Sequence, residues 1–287
     1  MKLFYTVGGG LGHLTRFTAV LKTLRIDEPV TVIASSPFAR DTRVVDPRHN
    51  VLIPPFKAAK SRESLIEWLQ EIIDELKPEE VYIDAFPAGI LGELCDIVFP
   101  PHTKMYLLAR IIKWPVYLER IPFFHLKFKE VYRLEQLDEK YDDFLRQNSD
   151  SIIEFSLTKP ESDAKLDEIL PGCWLVIHSG PDSELEALLK SVNEDLEQLA
   201  QKPQVAVVFP GRRPNFVPEH YSFVSAYPVF SAYERAARVY SAAGFNMVEQ
   251  MKPYRSRHYV MPFERILDDQ FARCRLHEKE FAAVLGI

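Results

Sequence analysis

Cysteine is scarce. Cys95, Cys173 and Cys274 are the only three in 287 residues, an odd number with no metal-ligand spacing. A disulfide framework and a cysteine-based metal site are therefore not expected, and a reducing compartment, the cytoplasm, is. Positive charge is not in excess either: 35 Lys and Arg stand against 41 Asp and Glu, for a net charge of −6. That argues against a nucleic-acid partner, so any basic surface must be local. No apolar run reaches the roughly 20 residues that span a bilayer. Met1 leads straight into a strand-like run, so a leader peptide is not expected.

Glycine is also sparse, eleven in all, yet Gly8, Gly9, Gly10 and Gly12 fall within five positions. They separate an apolar run over 2–7 from a helix-patterned segment with Leu14, Phe17, Val20, Leu21 and Leu24. Such a turn lets the backbone come close to a ligand, and the following helix aims its free N–H groups back at it. His13 sits there, where a core histidine has little reason to be.

Further along, strand-like runs at 30–34, 50–53, 81–84 and 105–109 alternate with helical patterns. Leu65, Ile66, Leu69, Ile72, Ile73 and Leu76 mark a helix closed by Pro78, a second helix runs through Glu93, and a polar helix covers 130–147. After a composition shift at Asn148-Ser149-Asp150 the alternation resumes. Strands are expected at 173–178, 205–209, 221–225, 238–241 and 258–261, and helices at 183–200, around 233–237, from Phe245 and from Asp268. Two Rossmann-like α/β domains, 1–149 and 150–287, are the expected organisation, with ligands at the carboxyl ends of parallel strands.

The glycine spacing does not fit dinucleotide binding by G-x-G-x-x-G, and the second strand ends in Ala34-Ser35-Ser36 without a carboxylate for a ribose. A P-loop is excluded because no Lys-Ser or Lys-Thr follows the glycines. Instead, Gly10-Leu11-Gly12-His13-Leu14-Thr15-Arg16 resembles the G-x-G-H-x-x-R turn that opens many GT-B glycosyltransferases. Ala243-Gly244-Phe245-Asn246-Met247-Val248-Glu249, Met261-Pro262-Phe263 and Asp269-Gln270 are similar to their C-terminal signature. Asp84-Ala85-Phe86-Pro87-Ala88-Gly89 with Glu93 is similar to a segment of members related to the lipid-intermediate N-acetylglucosaminyltransferase. Met247-Val248-Glu249-Gln250-Met251-Lys252 departs from the small residues common there, and the chain is short for the fold.

The resemblance implies two domains facing across a cleft, with an acceptor on the first, a nucleotide diphosphate sugar (a UDP-sugar foremost) on the second, and a C-terminal helix that can cross back. It implies catalysis by His13, as base for the acceptor hydroxyl, with Asp84. Gly10 and Gly12 would leave room for the reacting sugar. Glu249 would accept ribose hydroxyls, and Asp269 and Gln270 would hold donor-sugar hydroxyls. Gly244, Phe245 and Asn246 would meet the leaving diphosphate with backbone N–H groups, and Ser179 and Gly180 would reach phosphate from the first C-terminal strand. No D-x-D triplet occurs, so a metal-bridged diphosphate is not suggested, no cofactor is expected beside the donor substrate, and the absence of E-x7-E around Glu249 favours inversion. Plainer roles stand beside these: His13 or Asp84 as helix caps, Glu249 as a surface charge, Asp269 as a complement to a helix dipole, and Ser179-Gly180 as a simple turn.

Two other functions share this pattern. One is a nucleotide-sugar hydrolase, since the compact UDP-sugar hydrolase of pseudaminic acid synthesis resembles the chain in length and turn. The other is a non-catalytic sugar-nucleotide-binding protein. A basic, aromatic stretch holds Arg110, Lys113, Arg120, Lys127 and Lys129 among Trp114, Tyr117, Phe123, Phe124 and Phe128. It suits either a peripheral contact with an anionic membrane or a packed core, although Pro115 and Pro122 interrupt any continuous amphipathic helix.

Overall fold

A computed structural model describes residues 1–121, 123–159, 166 and 169–285, so Pro122 lies outside the described residues. The chain divides into two compact units, Met1–Thr158 with Ile266–Asp268, and Lys159–Arg265 with Asp269–Ile287.

The first unit is built on seven parallel strands: β1 (Lys2–Thr6), β2 (Thr31–Ala34), β3 (Asn50–Leu52), β4 (Glu80–Asp84), β5 (Lys104–Ala109), β6 (Phe128–Arg133) and β7 (Ile152–Glu154). Their order is β3-β2-β1-β4-β5-β6-β7. The central strands are buried along nearly their whole length, which is why they read as continuous apolar runs. Between them run α1 (Leu11–Leu24), α2 (Arg62–Leu76), α3 (Trp114–Leu118) and α4 (Glu139–Gln147). The Ser61 side chain caps α2, and Lys77 ends it in the left-handed conformation just before Pro78. The strand order reverses between β1 and β4, and the loops leaving those two strands carry His13 and Asp84.

Three sequence expectations need correction here. The helix expected over 130–147 is β6 followed by α4. Phe128, Val131 and Tyr132 are buried while Lys129 is exposed, and this half-polar pattern reads as a helix surface when the paired strand is unseen. The helix expected through Glu93 is a loop ending in a single 3-10 turn, Glu93–Asp96. The boundary placed at 149/150 falls inside the first unit, because 152–154 pair with β6 as the seventh strand.

The second unit has five parallel strands, β8 (Trp174–Ile177), β9 (Val205–Val208), β10 (Ser222–Val224), β11 (Arg238–Ala242) and β12 (His258–Met261), in the order β10-β9-β8-β11-β12. Its helices are α5 (Asp182–Glu197), α6 (Phe230–Arg235), α7 (Phe245–Gln250) and α8 (Gln270–Leu285). Here the order reverses between β8 and β11. The return to the first unit is made by Ile266–Asp268, whereas α8 belongs to the second unit, where the buried Arg273 donates from Nη1 to the Ala243 carbonyl at 3.1 Å. The return is held by backbone: the Lys113 N–H donates to Leu267 O at 2.7 Å, and Leu267 is buried in the first unit's core.

Candidate active site

In the first unit the glycine turn leaves β1 and α1 begins at Leu11 with Gly10 as its N-cap. His13 and Arg16, three residues apart, share one face of α1. Both reach Asp84, the last residue of β4. The Asp84 side chain is 1% exposed, that of Arg16 4% and that of His13 12%. Arg16 grips the carboxylate with two bonds, Nε to Oδ1 at 2.7 Å and Nη2 to Oδ2 at 2.8 Å. His13 Nδ1 lies 2.7 Å from Oδ2 and 3.2 Å from Arg16 Nη2. Asp84 therefore serves side chains of α1 and does not cap a following helix, and His13 lies beyond the N-cap position.

Charge follows from this geometry. Burial alone would raise the Asp84 carboxyl, but the Arg16 charge and the His13 contact hold it far below the usual carboxylate range. Burial lowers the His13 imidazole, Asp84 pulls it back up, and Arg16 and Arg110 push it down again, for a net lowering. The ring is thus neutral near pH 7. Among the described residues of this unit Nε2 makes no hydrogen bond, and it lies where a side chain on Gly8 would be, so a Cβ there would collide with the ring. The Gly8 N–H donates to Ser35 Oγ at 2.9 Å, which anchors the turn to the end of β2. Gly10 is exposed at the helix start and Gly12 is already inside α1, so Gly8 is the glycine whose missing side chain makes room for the base.

The loop after β4 is held tightly. Ala85 has φ +78°, unusual for a residue with a side chain. The buried Glu93 accepts from the Tyr5 hydroxyl and from the N–H groups of Ile90 at 3.1 Å and Leu91 at 2.7 Å. Burial raises its carboxyl against these bonds. Tyr117 adds a second clamp, accepting from Ala88 N at 2.9 Å and donating to Gly89 O at 2.7 Å. The Phe86 ring centroid lies 6.3 Å from that of His13, and the Arg110 guanidinium lies over the Phe86 ring, 5.8 Å from its centroid, while pairing with Asp268.

Trp114, Tyr117 and Phe128 are core residues, and Trp114 stacks on Tyr141 at 4.5 Å and packs against Phe144 at 4.7 Å. Phe123, 52% exposed, Val116 and Leu118 are the large apolar side chains that this stretch shows to solvent, beside the exposed Lys127 and Lys129.

In the second unit, Ser179 and Gly180 follow β8, and Gly244, Phe245 and Asn246 follow β11, its hydrogen-bonded neighbour. The two loops thus leave adjacent strands at the reversal point, where open α/β sheets bind ligands. Gly244 is the N-cap of α7. Glu249 pairs with Lys252 at 2.6 Å and is 30% exposed. Asp269 accepts from Ala272 N at 2.8 Å and so caps α8. Gln270 is buried, and its Oε1 accepts from Phe263 N at 3.0 Å. Beside Gly180 stands buried His178, with Nε2 3.5 Å from Glu184 and its imidazole lowered by burial. Arg265 grips Glu184 in turn. Among the described residues no group of three or more His, Cys, Asp or Glu is placed to hold a metal ion, and no helix is long and apolar enough to cross a membrane.

No family model and no curated protein matches the chain. Solved structures do. The spinosyn forosaminyltransferase SpnP aligns over 98% of this chain and 83% of its own at TM-score 0.58 and 10% identity. The spinosyn rhamnosyltransferase SpnG, complexed with thymidine diphosphate, aligns over 100% and 92% at 0.54 and 12%. A protein described as a UDP-N-acetylglucosamine 2-epimerase from Listeria monocytogenes aligns over 87% and 76% at 0.56 and 11%. Identities this low speak for the fold, and the parallel sheets with interleaved helices agree with it: the chain has the two-domain Rossmann-like fold of GT-B proteins.

Proposed function

We propose that the protein is a glycosyltransferase that moves a sugar from a nucleotide diphosphate sugar to an acceptor hydroxyl with inversion and without a metal. The observation that carries this reading is the buried Arg16–Asp84–His13 constellation at the β1/β4 reversal, in which Nδ1 of the imidazole is held by Asp84 and Nε2 makes no hydrogen bond among the described residues of the unit. In the reaction, Nε2 takes the proton of the acceptor hydroxyl as its oxygen bonds to the anomeric carbon. The bond from that carbon to the diphosphate oxygen breaks on the opposite face, and Nδ1–H stays with Asp84 as the imidazolium forms. The nucleotide diphosphate departs with the bond's electron pair. Backbone N–H groups of Gly244, Phe245 and Asn246, with Ser179 and Gly180, would stabilise that charge. Glu249 would hold the ribose, and Asp269 and Gln270 the donor sugar. SpnG supports a diphosphate ligand by analogy, since it was solved with thymidine diphosphate.

The test combines binding and turnover. UDP or TDP at millimolar concentration should raise the melting temperature, because a ligand of the native state stabilises it. A sugar nucleotide plus an acceptor panel should give a glycoside of inverted configuration, and His13→Ala should remove it. Absence of any thermal shift overturns the donor site. Turnover without acceptor, lost in His13→Ala, assigns the hydrolase instead, since the same base would activate water. Binding without turnover assigns the non-catalytic role. For the basic stretch the proposed partner is an anionic membrane surface, contacted through Phe123, Val116 and Leu118 beside Lys113, Arg120, Lys127 and Lys129 and not through Trp114. Co-sedimentation with phosphatidylserine vesicles that is unchanged in Phe123→Ala/Lys127→Glu would refute it.

A further inference from the structure

The proposed chemistry assigns Arg16 no task, yet Arg16 touches both other members of the constellation. We infer that Arg16 is a positioning residue for the candidate base: it grips both Asp84 oxygens so that Asp84, 2.7 Å from Nδ1, holds the imidazole as the Nδ1–H tautomer with Nε2 open. The Arg16 charge, with Nη2 3.2 Å from Nδ1 and not hydrogen-bonded to it in that tautomer, keeps a second proton off the ring. For its effect on rate this rests on the glycosyl-transfer reading; for its effect on the ring it does not.

Two arguments lead there. The first concerns protons. An ionised carboxylate only accepts hydrogen bonds, so the proton between Oδ2 and Nδ1 belongs to Nδ1, and in a neutral ring Nε2 is then the acceptor. The fork of the guanidinium fixes the plane of the carboxylate, and the carboxylate in turn fixes the ring. A lysine, as a point charge, would hold one oxygen and leave the plane free. The second concerns charge. The charged groups facing His13 are Asp84 at the end of β4, Arg16 on α1 and Arg110 after β5, whose charge is itself paired with Asp268, and the apolar Phe86 lies beside them. Arg16 already neutralises Asp84 in a nearly closed site, so a proton on His13 would leave a net buried positive charge. The dyad is thereby a weaker base than a histidine with a free carboxylate, and it stays ready to accept a proton at neutral pH.

The experiment uses the full-length protein labelled with [15N]histidine, with His13→Gln to assign the His13 signals in long-range 1H–15N spectra. The wild type should show the neutral Nδ1–H tautomer at pH 7. In Arg16→Gln the ring should titrate at higher pH than in the wild type, and Arg16→Lys, which keeps the charge but loses the fork, should titrate between the two. An Nε2–H tautomer in the wild type, or an unchanged titration in Arg16→Gln, overturns the inference. If Arg16→Gln does not fold, the wild-type tautomer and the Arg16→Lys titration still decide. Turnover is read separately: the acid limb of kcat should move upward with the titration midpoint, with KM little changed. A shifted titration in a protein that turns over no sugar nucleotide would discard the transfer reading and leave the positioning role standing.

Discussion

At Gly8 a methyl group would occupy space that the His13 ring now fills, so the ring would have to shift from the position that sets Nδ1 2.7 Å from Asp84. Gly8→Ala is therefore expected to cut turnover by about 10²-fold or more, the scale of a lost general base. The accompanying strain should cost about 1–3 kcal/mol. Comparison of kcat with a urea midpoint checks both. Asp84 gives the opposite pattern. Removing its charge in Asp84→Asn leaves Arg16 buried without a counter-charge, at an expected cost of about 3–5 kcal/mol at pH 7. Because the folded carboxyl is depressed, its contribution is fully present above the unfolded value of about 3.9 and is lost as the pH falls through the folded value. The stability gap between wild type and Asp84→Asn should thus close in acid. His13 adds a second slope. Its folded value is lowered, so the unfolded chain binds the proton first, and stability declines as the pH drops below about 6.5. Denaturant midpoints from pH 8 down to about 2, in wild type, Asp84→Asn and His13→Gln, would resolve the two.

Among the elements, the loop after β4 depends on a fit between Gly89 and Glu93. Gly89 has φ +83°, and a side chain there would meet the Glu93 carboxyl that gathers Tyr5, Ile90 and Leu91. Gly89→Ala should cost about 1–3 kcal/mol and reduce turnover through the position of Asp84, measured by thermal melting beside kcat. Neither the clamp nor the φ is visible in the sequence, where Glu93 looks like part of a helix; its partners come from β1 and from its own turn. β6 was hidden for a related reason. Its aromatic side chain Tyr132 gains a stacking partner, Tyr106 at 6.1 Å, only when β5 lies beside it. By contrast β1, β2, β4, α1 and α2 were legible, because their apolar periodicity and the Pro78 stop are local properties.

For the molecule as a whole, two units each with their own core and sheet are joined by a chain that visits the first unit again at Ile266–Asp268. Leu267 is the apolar residue that this return buries, at 5% exposure. Leu267→Ala should destabilise the first unit by about 2–5 kcal/mol, seen as earlier loss of amide protection in β5 and β6 than in β8 and β9. By itself the sequence determined the parallel α/β alternation in two halves, the glycine turn before a helix, and His13 and Asp84 as separate candidate residues. These rest on periodicity and backbone freedom within a few residues. The tertiary structure decided that Arg16 completes their constellation, that Gly8 and not Gly10 or Gly12 accommodates the ring, that Asp269 and Gln270 bond to their own unit's backbone, and that Trp114 is core. Each of those depends on which side chains meet across positions tens of residues apart, and a linear pattern carries no record of such meetings until the sheet order brings them together.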